Sequence, residues 1–249
     1  MPSPVRTIKK RTPPASCVTW RQQRIAAHGA DGFEFTYEAM RRDAAVVADV
    51  EDGLHSEQGA LCAYTGRRIQ LRPGPPREIG FHLEHLTPQE HCEEGEDTDY
   101  NNLVACWPEP NSKESAPYGA VLKGNWPSPA EEHLFVSPLR ADCTSRFSFD
   151  RRGNITATQT GDVAADETIE RLGLGLKELT ALRKAAIQGA LNPAGRPISL
   201  SSAEKLRREM DHDEQSLNQG GSIKLTPFCF AIRPQVDKEI IKLKAIKKQ

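Results

Sequence analysis

A histidine, a carboxylate and a second histidine crowd together in the segment Ile79-Gly80-Phe81-His82-Leu83-Glu84-His85-Leu86-Thr87-Pro88. Apolar and polar residues alternate through it. Ile79, Phe81 and Leu83 share one face of an extended chain, and His82 and Glu84 share the other. A strand here presents an imidazole and a carboxylate on its polar face. His85 follows where the strand ends, and Pro88 takes the chain out of any ladder. The chemistry this group suits is metal-assisted hydrolysis of a phosphodiester. A carboxylate binds a hard divalent cation such as Mg²⁺ or Mn²⁺, which steadies the leaving oxygen and the charge of the transition state. A neutral histidine takes a proton from the attacking water, with a pKa naturally near the working pH. Glu84 is therefore the candidate metal ligand and His85 the candidate base. His82 is a supporting residue, with a part in the chemistry or only as a brace for the strand pair.

These groups need elements to hold them. Asp97 to Cys106 reads as a return strand, from which Asn102 can reach the histidine with a side-chain hydrogen bond. Tyr118 to Trp126 reads as a short helix with Lys123 near its end. The stretch 61–126 is rich in Gly, Pro, His, Cys and Asn, with short elements and connecting loops that can aim side chains. Helical patterns flank it. Thr36 can cap a helix running to about Leu54, with Tyr37, Met40, Ala44, Val47 and Leu54 on one face. Glu167 to Leu172 is a short helix stopped by Gly173 and Gly175. Leu176, Leu179, Leu182, Ala186, Ile187 and Ala190 mark the face of the next. Ser201 and Glu204 form a capping-box pattern before Leu206 and Met210. Pro234 suits the first turn of a last helix, whose lysine-rich end suits its dipole. The leucine stripes read as core. Residues 1–20, with Pro2, Pro4, Pro13 and Pro14 beside Lys9, Lys10 and Arg11, read as an extended arm, a solvated tail or one that lies on a partner.

The chain has 249 residues and is 37% hydrophobic, enough for one sizeable core or for a small catalytic module with helical additions. Its 33 Lys and Arg nearly cancel its 34 Asp and Glu. It lacks the basic excess of a stand-alone DNA binder, so any grip on nucleic acid is local or supplied by a partner. Six scattered cysteines and a start without an apolar segment point to a cytoplasmic protein with reduced thiols. No apolar run reaches bilayer length, so no membrane partner is expected.

The ordered set of motifs resembles a known family. Leu61-Cys62-Ala63-Tyr64-Thr65-Gly66-Arg67-Arg68-Ile69, His82-Leu83-Glu84-His85, Asp99-Tyr100-Asn101-Asn102-Leu103, Gly119-Ala120 and Lys123-Gly124-Asn125-Trp126 are similar to the retron- and Septu-associated HNH endonucleases. Phe135 to Leu139, Ser145 to Phe147 and the segment from Glu167 to Ile187 extend the likeness, which covers about Cys62 to Leu191. The resemblance implies an α+β fold: a small ββα-metal core at 58–150, a helical lead-in with an arm at 1–57, and a helical region at 151–249. It implies Glu84 as metal ligand, His85 as general base and Asn102 as the asparagine of the HNH name. It also implies Mg²⁺ or Mn²⁺ as cofactor, double-stranded DNA as the main substrate expectation with RNA as an alternative, an ABC-type ATPase as partner, and a retron reverse transcriptase with its RNA and DNA as a further one. The setting is bacterial anti-phage defence.

The sequence also departs from that pattern. Such domains often carry two Cys-x-x-Cys knuckles around a structural zinc, whereas Cys62 is followed by Thr65 and Cys106 by Glu109. Cys62 and Cys106 are the remaining zinc candidates, and a four-cysteine site cannot be built from them. Asn111 and Asn125 are the candidates for a second ligand of the catalytic metal, and the sequence does not choose between them. These gaps motivate a rival reading, a binding module on a degenerate HNH scaffold that assembles a complex without much catalysis. Arg67, Arg68, Arg72 and Arg77 are either phosphate contacts or a solvated hairpin. The acidic run from Glu90 to Asp99 reads as a solvated loop, and Trp20, Trp107 and Trp126 as core or interface anchors.

Overall fold

The computed structural model describes residues 7–30, 32–110, 112 and 117–247. Three helices lead in: α1 (Ala15–Ala26), α2 (Tyr37–Arg41) and α3 (Ala44–Glu57). Three short antiparallel hairpins follow: β1 (Leu71–Arg72) with β2 (Glu78–Ile79), β3 (His82–His85) with β4 (Leu103–Cys106), and β5 (Phe147–Phe149) with β6 (Ile155–Ala157). Two short helices, α4 (Ala120–Lys123) and α5 (Cys143–Arg146), lie between the last two strand pairs. Helices α6 (Val163–Arg171), α7 (Lys177–Leu191), α8 (Leu200–Asn218) and α9 (Cys229–Lys247) close the chain. The fold is thus mixed, mostly helical, with small strands, as an α+β reading requires. Among the described residues no helix is long and apolar enough to cross a membrane.

Several boundaries differ from the sequence expectation, each for a local reason. The helix expected from Thr36 to Leu54 is two helices. Thr36 caps the first by accepting from the Ala39 amide (3.3 Å), but Asp43 caps a second by accepting from the Val46 amide (3.2 Å). A second cap inside a periodic stretch resets the register. Val46, Val50 and Leu54 are then the buried residues of α3, and Ala44 is exposed. The cap of α8 is Ser199, not Ser201, and Glu204 pairs instead with Lys244 at 2.8 Å. α9 starts at Cys229, so Pro234 lies inside it. Burial of Phe230, Ala231 and Ile232 carries that first turn into the core and outweighs the hydrogen bond the proline cannot make. On α7 the buried stripe is Leu179, Arg183, Ile187 and Leu191, while Leu176 and Leu182 are exposed. Arg183 is tolerated inside because it donates to the Gly153 and Leu174 carbonyls, both at 2.7 Å.

The arm is shorter than expected, since α1 already begins at Ala15, and its described part is no solvated tail. Ile8 is buried, Lys10 reaches Glu57 Oε1 and the Leu103 carbonyl (both 2.8 Å), and the Arg11 amide donates to Glu57 Oε2 (2.9 Å). The arm therefore runs across the end of α3 and the start of β4. One hydrophobic cluster draws on all three stretches of the chain, from Ile8 through Phe81, Leu103 and Phe147 to Val236.

Candidate active site

The strand expected from Ile79 to Glu84 breaks at Gly80. Residues before it pair with β1, and residues after it form β3, which pairs with β4. The register sets His82 opposite Cys106, Glu84 opposite Val104 and His85 opposite Leu103. His85 is thus the last residue of the strand and not the first beyond it. Alternation turns it to the face opposite Glu84. The return strand is also shorter than expected. Residues Glu96–Thr98 and Tyr100–Asn102 form tight 3₁₀ turns before β4 begins. The hairpin is anchored on α3 by Gln58, whose side-chain amide donates to the Ala105 carbonyl (2.8 Å) and accepts from the Ala105 amide (2.7 Å). It stands in for a missing neighbouring strand.

His85 is only 7% exposed. Its Nε2 donates to the Asp97 carbonyl at 2.8 Å, and the Tyr37 ring meets it edge-on, with centroids 4.6 Å apart. A carbonyl can only accept, so Nε2 carries the proton and Nδ1 the lone pair. Burial lowers the His85 pKa below the ordinary imidazole value, against smaller opposing effects of the Asp97 carbonyl and Glu84. The ring is therefore held neutral, in one tautomer, with one basic nitrogen. Asp97 does double duty: its carboxylate Oδ2 accepts from the Tyr37 amide at 2.7 Å and so fixes the helix that covers His85.

Contrary to the expectation from sequence, Asn102 does not reach the histidine; it closes the loop behind it. Its Oδ1 accepts from the Thr87 amide (2.8 Å) and its Nδ2 donates to the Thr87 carbonyl (3.2 Å) and to Cys92 Sγ (3.4 Å). This amide-to-backbone clamp joins the end of the 86–102 loop to its beginning. Asn102 is a positioning residue for that loop.

On the other face of β3, Glu84 meets Lys123. The ammonium lies 3.0 Å from Glu84 Oε1 and donates to the His85 carbonyl at 2.9 Å. Its side chain is 1% exposed and that of Glu84 15%. The contact with Oε1 is an ion pair whose angles fall short of a hydrogen bond, so that buried oxygen has no hydrogen-bond partner. Glu84 Oε2 points the other way, with His82 Nε2 3.8 Å from it. His82 Nδ1 lies 2.5 Å from the Pro108 carbonyl. Burial works against charge on His82, but Glu84 and the Pro108 carbonyl outweigh it and raise its pKa. The Tyr64 hydroxyl, buried and without a hydrogen-bond partner, is raised by burial and by the charge of Glu84.

Cys62 and Cys106 do come together, side by side and fully buried. Burial pushes the Cys62 thiol up, but hydrogen bonds from Cys106, from the Thr65 hydroxyl and amide, and from the Trp107 amide hold it at about 6. Thr65, at the position a second knuckle cysteine would take, donates to the sulfur. The knuckle is thus closed by hydrogen bonds around the Cys62 sulfur. Asn125 is exposed and tied to Glu90 Oε2 at 2.6 Å, and Asn111 lies outside the described residues. Among the described residues no cluster of three His, Cys, Asp or Glu is placed to hold a metal.

The arginines flagged in the sequence are engaged within the protein. Arg67 lies over the Trp107 ring (3.5 Å) and donates to Tyr118 Oη (2.7 Å). Arg68 binds the carbonyls of Gly59, Ala60 and Leu225. Arg72 pairs with Glu78, and Arg77 with Glu51 and Asp52. All three tryptophans are buried. The Tyr37 ring over His85 escaped sequence reasoning, since Tyr37 carried only a helix-face signal. Lys123 was expected as a supporting residue, and the structure supplies its partners, Glu84 and the His85 carbonyl. No family model matches this chain, and no curated protein matches it.

Proposed function

We propose that the chain is a metal-dependent phosphodiesterase of the HNH endonuclease type, with the β3–β4 hairpin and α4 as its ββα unit. The observation that carries the reading is a consecutive Glu84 and His85 on one strand, with the loop after them clamped by Asn102 and the strand gripped by Lys123. Such a pair would serve a phosphodiester lying across the end of β3, with Glu84 holding a cation on one face and His85 taking a proton on the other. His85 Nδ1 accepts the proton of the attacking water, and the Asp97 carbonyl supports the charge that the ring then gains. Asn102 holds the 86–102 loop in place around that ring. Lys123 holds Glu84 Oε1 beside the strand.

The donor set suits a divalent cation only in part. Glu84 is a carboxylate with one oxygen turned away from Lys123, and the buried Tyr64 hydroxyl and Glu84 Oε1 lack hydrogen bonds. A hard cation held by one or two side chains takes its remaining ligands from water and substrate. When bound it would polarise the phosphoryl oxygens and steady the leaving group. Nucleic acid, DNA foremost, is the substrate of this reading. An ABC-type ATPase, alone or with a retron, supplies the affinity that a chain without basic excess lacks, in the cytoplasm of a bacterium defending against phage.

A second reading has one observation in its favour. His85 lies beneath Tyr37 with little exposure, as it would in a scaffold kept for assembly. The test that separates the two is plasmid nicking by the purified chain with and without the ATPase, in Mg²⁺, in Mn²⁺ and with chelator. The nuclease reading expects metal-dependent nicking that His85→Ala abolishes. Absence of nicking under every condition, with the complex assembled, would establish the assembly role instead.

A further inference from the structure

We propose that His82 is the second protein ligand of the cation at Glu84, making this a mixed nitrogen and oxygen site for a first-row transition ion. The proposal rests on the reading of Glu84 as a cation ligand, and it replaces the asparagines Asn111 and Asn125 in that role.

Three observations carry it. The first is placement. His82 and Glu84 are two residues apart on one strand and so project from the same face of β3. The second is the tautomer. His82 Nδ1 sits against the Pro108 carbonyl, which can only accept, so Nδ1 is the donor and Nε2 of the neutral ring carries the free lone pair. A carbonyl behind one ring nitrogen is how proteins orient a ligating imidazole and raise its basicity. The third is the division of the carboxylate. Lys123 holds Oε1, which leaves Oε2 on the side of His82 Nε2, 3.8 Å away. That separation is too long for a hydrogen bond. Metal bonds of about 2.1 Å set neighbouring donors about 3.0–3.6 Å apart, so the pair need close by less than about 1 Å.

A bracing role accounts for less. The bond from Nδ1 to Pro108 already ties His82 to the segment after β4, and it makes no use of Nε2. The donor chemistry also sets the class of ion. Carboxylate and water alone suit Mg²⁺ and Mn²⁺, whereas an added imidazole shifts the preference toward the later first-row ions. With His82 and Glu84 as its protein ligands, the ion would keep its other positions open to water and substrate oxygens.

The test uses Mn²⁺ as the probe on the full chain, with histidine labelled with ¹⁵N. Pulsed electron paramagnetic resonance reads coupling between bound Mn²⁺ and histidine nitrogen, and calorimetry reads affinity. Wild type is expected to show the nitrogen coupling, and His85→Ala to retain it. His82→Gln is expected to lose the coupling and to bind Mn²⁺ about tenfold more weakly, with a smaller change for Mg²⁺. Bound Mn²⁺ without histidine coupling in wild type overturns the assignment, as does coupling that survives His82→Gln or disappears with His85→Ala. Failure of wild type to bind Mn²⁺ overturns it too. If His82→Gln fails to fold, wild type and His85→Ala decide the matter between them, because these two are the histidines beside Glu84. Coupling present in a chain that nicks no DNA would leave the ligand assignment standing and remove the nuclease reading.

Discussion

Replacing Lys123 with methionine removes the charge at the centre of the site and keeps most of the side-chain volume. The ammonium has two partners, Glu84 Oε1 at 3.0 Å and the His85 carbonyl at 2.9 Å, and its side chain is 1% exposed. Glu84, at 15%, is left with little water to replace it. Removing one member of a buried pair costs about 3–5 kcal/mol, because the remaining charge stays desolvated. The lost charge-assisted bond to the His85 carbonyl, about 1.5–3 kcal/mol, is part of that figure and not an addition to it. At this chain length about 2–4 °C of melting temperature is lost per kcal/mol, so Lys123→Met is expected to melt about 6–20 °C lower. Glu84→Gln in the same background should recover a large part of the loss, since a neutral amide needs no counter-charge. The assay is urea unfolding of wild type, both single variants and the double variant, read as a thermodynamic cycle. A cost for Lys123→Met below about 1 kcal/mol, as for an exposed pair, with no coupling to Glu84, would refute the clamp.

Four further outcomes are expected. His85→Ala should reduce nicking by about 10²–10⁴-fold while the fold is retained. The folded-state pKa of His85 lies below the ordinary value of 6.5, so the folded state binds fewer protons than the unfolded one. Its contribution to stability is full above pH 6.5 and is lost as the pH falls through 6.5 toward the lower folded value. The acid limb of the pH–rate profile should likewise lie below 6.5, and a limb at or above 7 would count against His85 as base. The protein should fold without stoichiometric zinc, and Cys62 should absorb as a thiolate near neutral pH. Elemental analysis and ultraviolet difference spectra against Cys62→Ser check both, and one zinc per chain would contradict the thiolate-centred knuckle. The chain alone should bind DNA weakly with a shallow salt dependence, because few phosphates are neutralised. Tight binding with a steep slope and no gain from the ATPase would point to a self-sufficient nuclease.

Much of the site was legible in the chain because it is local. The alternation from Ile79 to Glu84 sufficed to put His82 and Glu84 on one face, since side chains in a strand repeat every two residues. The strand, loop, strand, helix order followed from the same short stretch, and so did the two incomplete cysteine knuckles. Helices α6 to α9 could be read from their apolar stripes, though not their starts, because a cap such as Ser199 or Asp43 competes with neighbours of equal propensity. What tertiary structure decided are the contacts between distant segments. Lys123 reaches Glu84 across 39 residues of chain, and Tyr37 covers His85 from a helix nearly 50 residues earlier. Asn102 turned to Thr87 and not to the histidine because the 3₁₀ turns before β4 aim it at the loop. The protonation of both histidines follows from two backbone carbonyls, those of Asp97 and Pro108. A carbonyl is present at every residue, so sequence carries no mark of the one that a fold will bring to an imidazole.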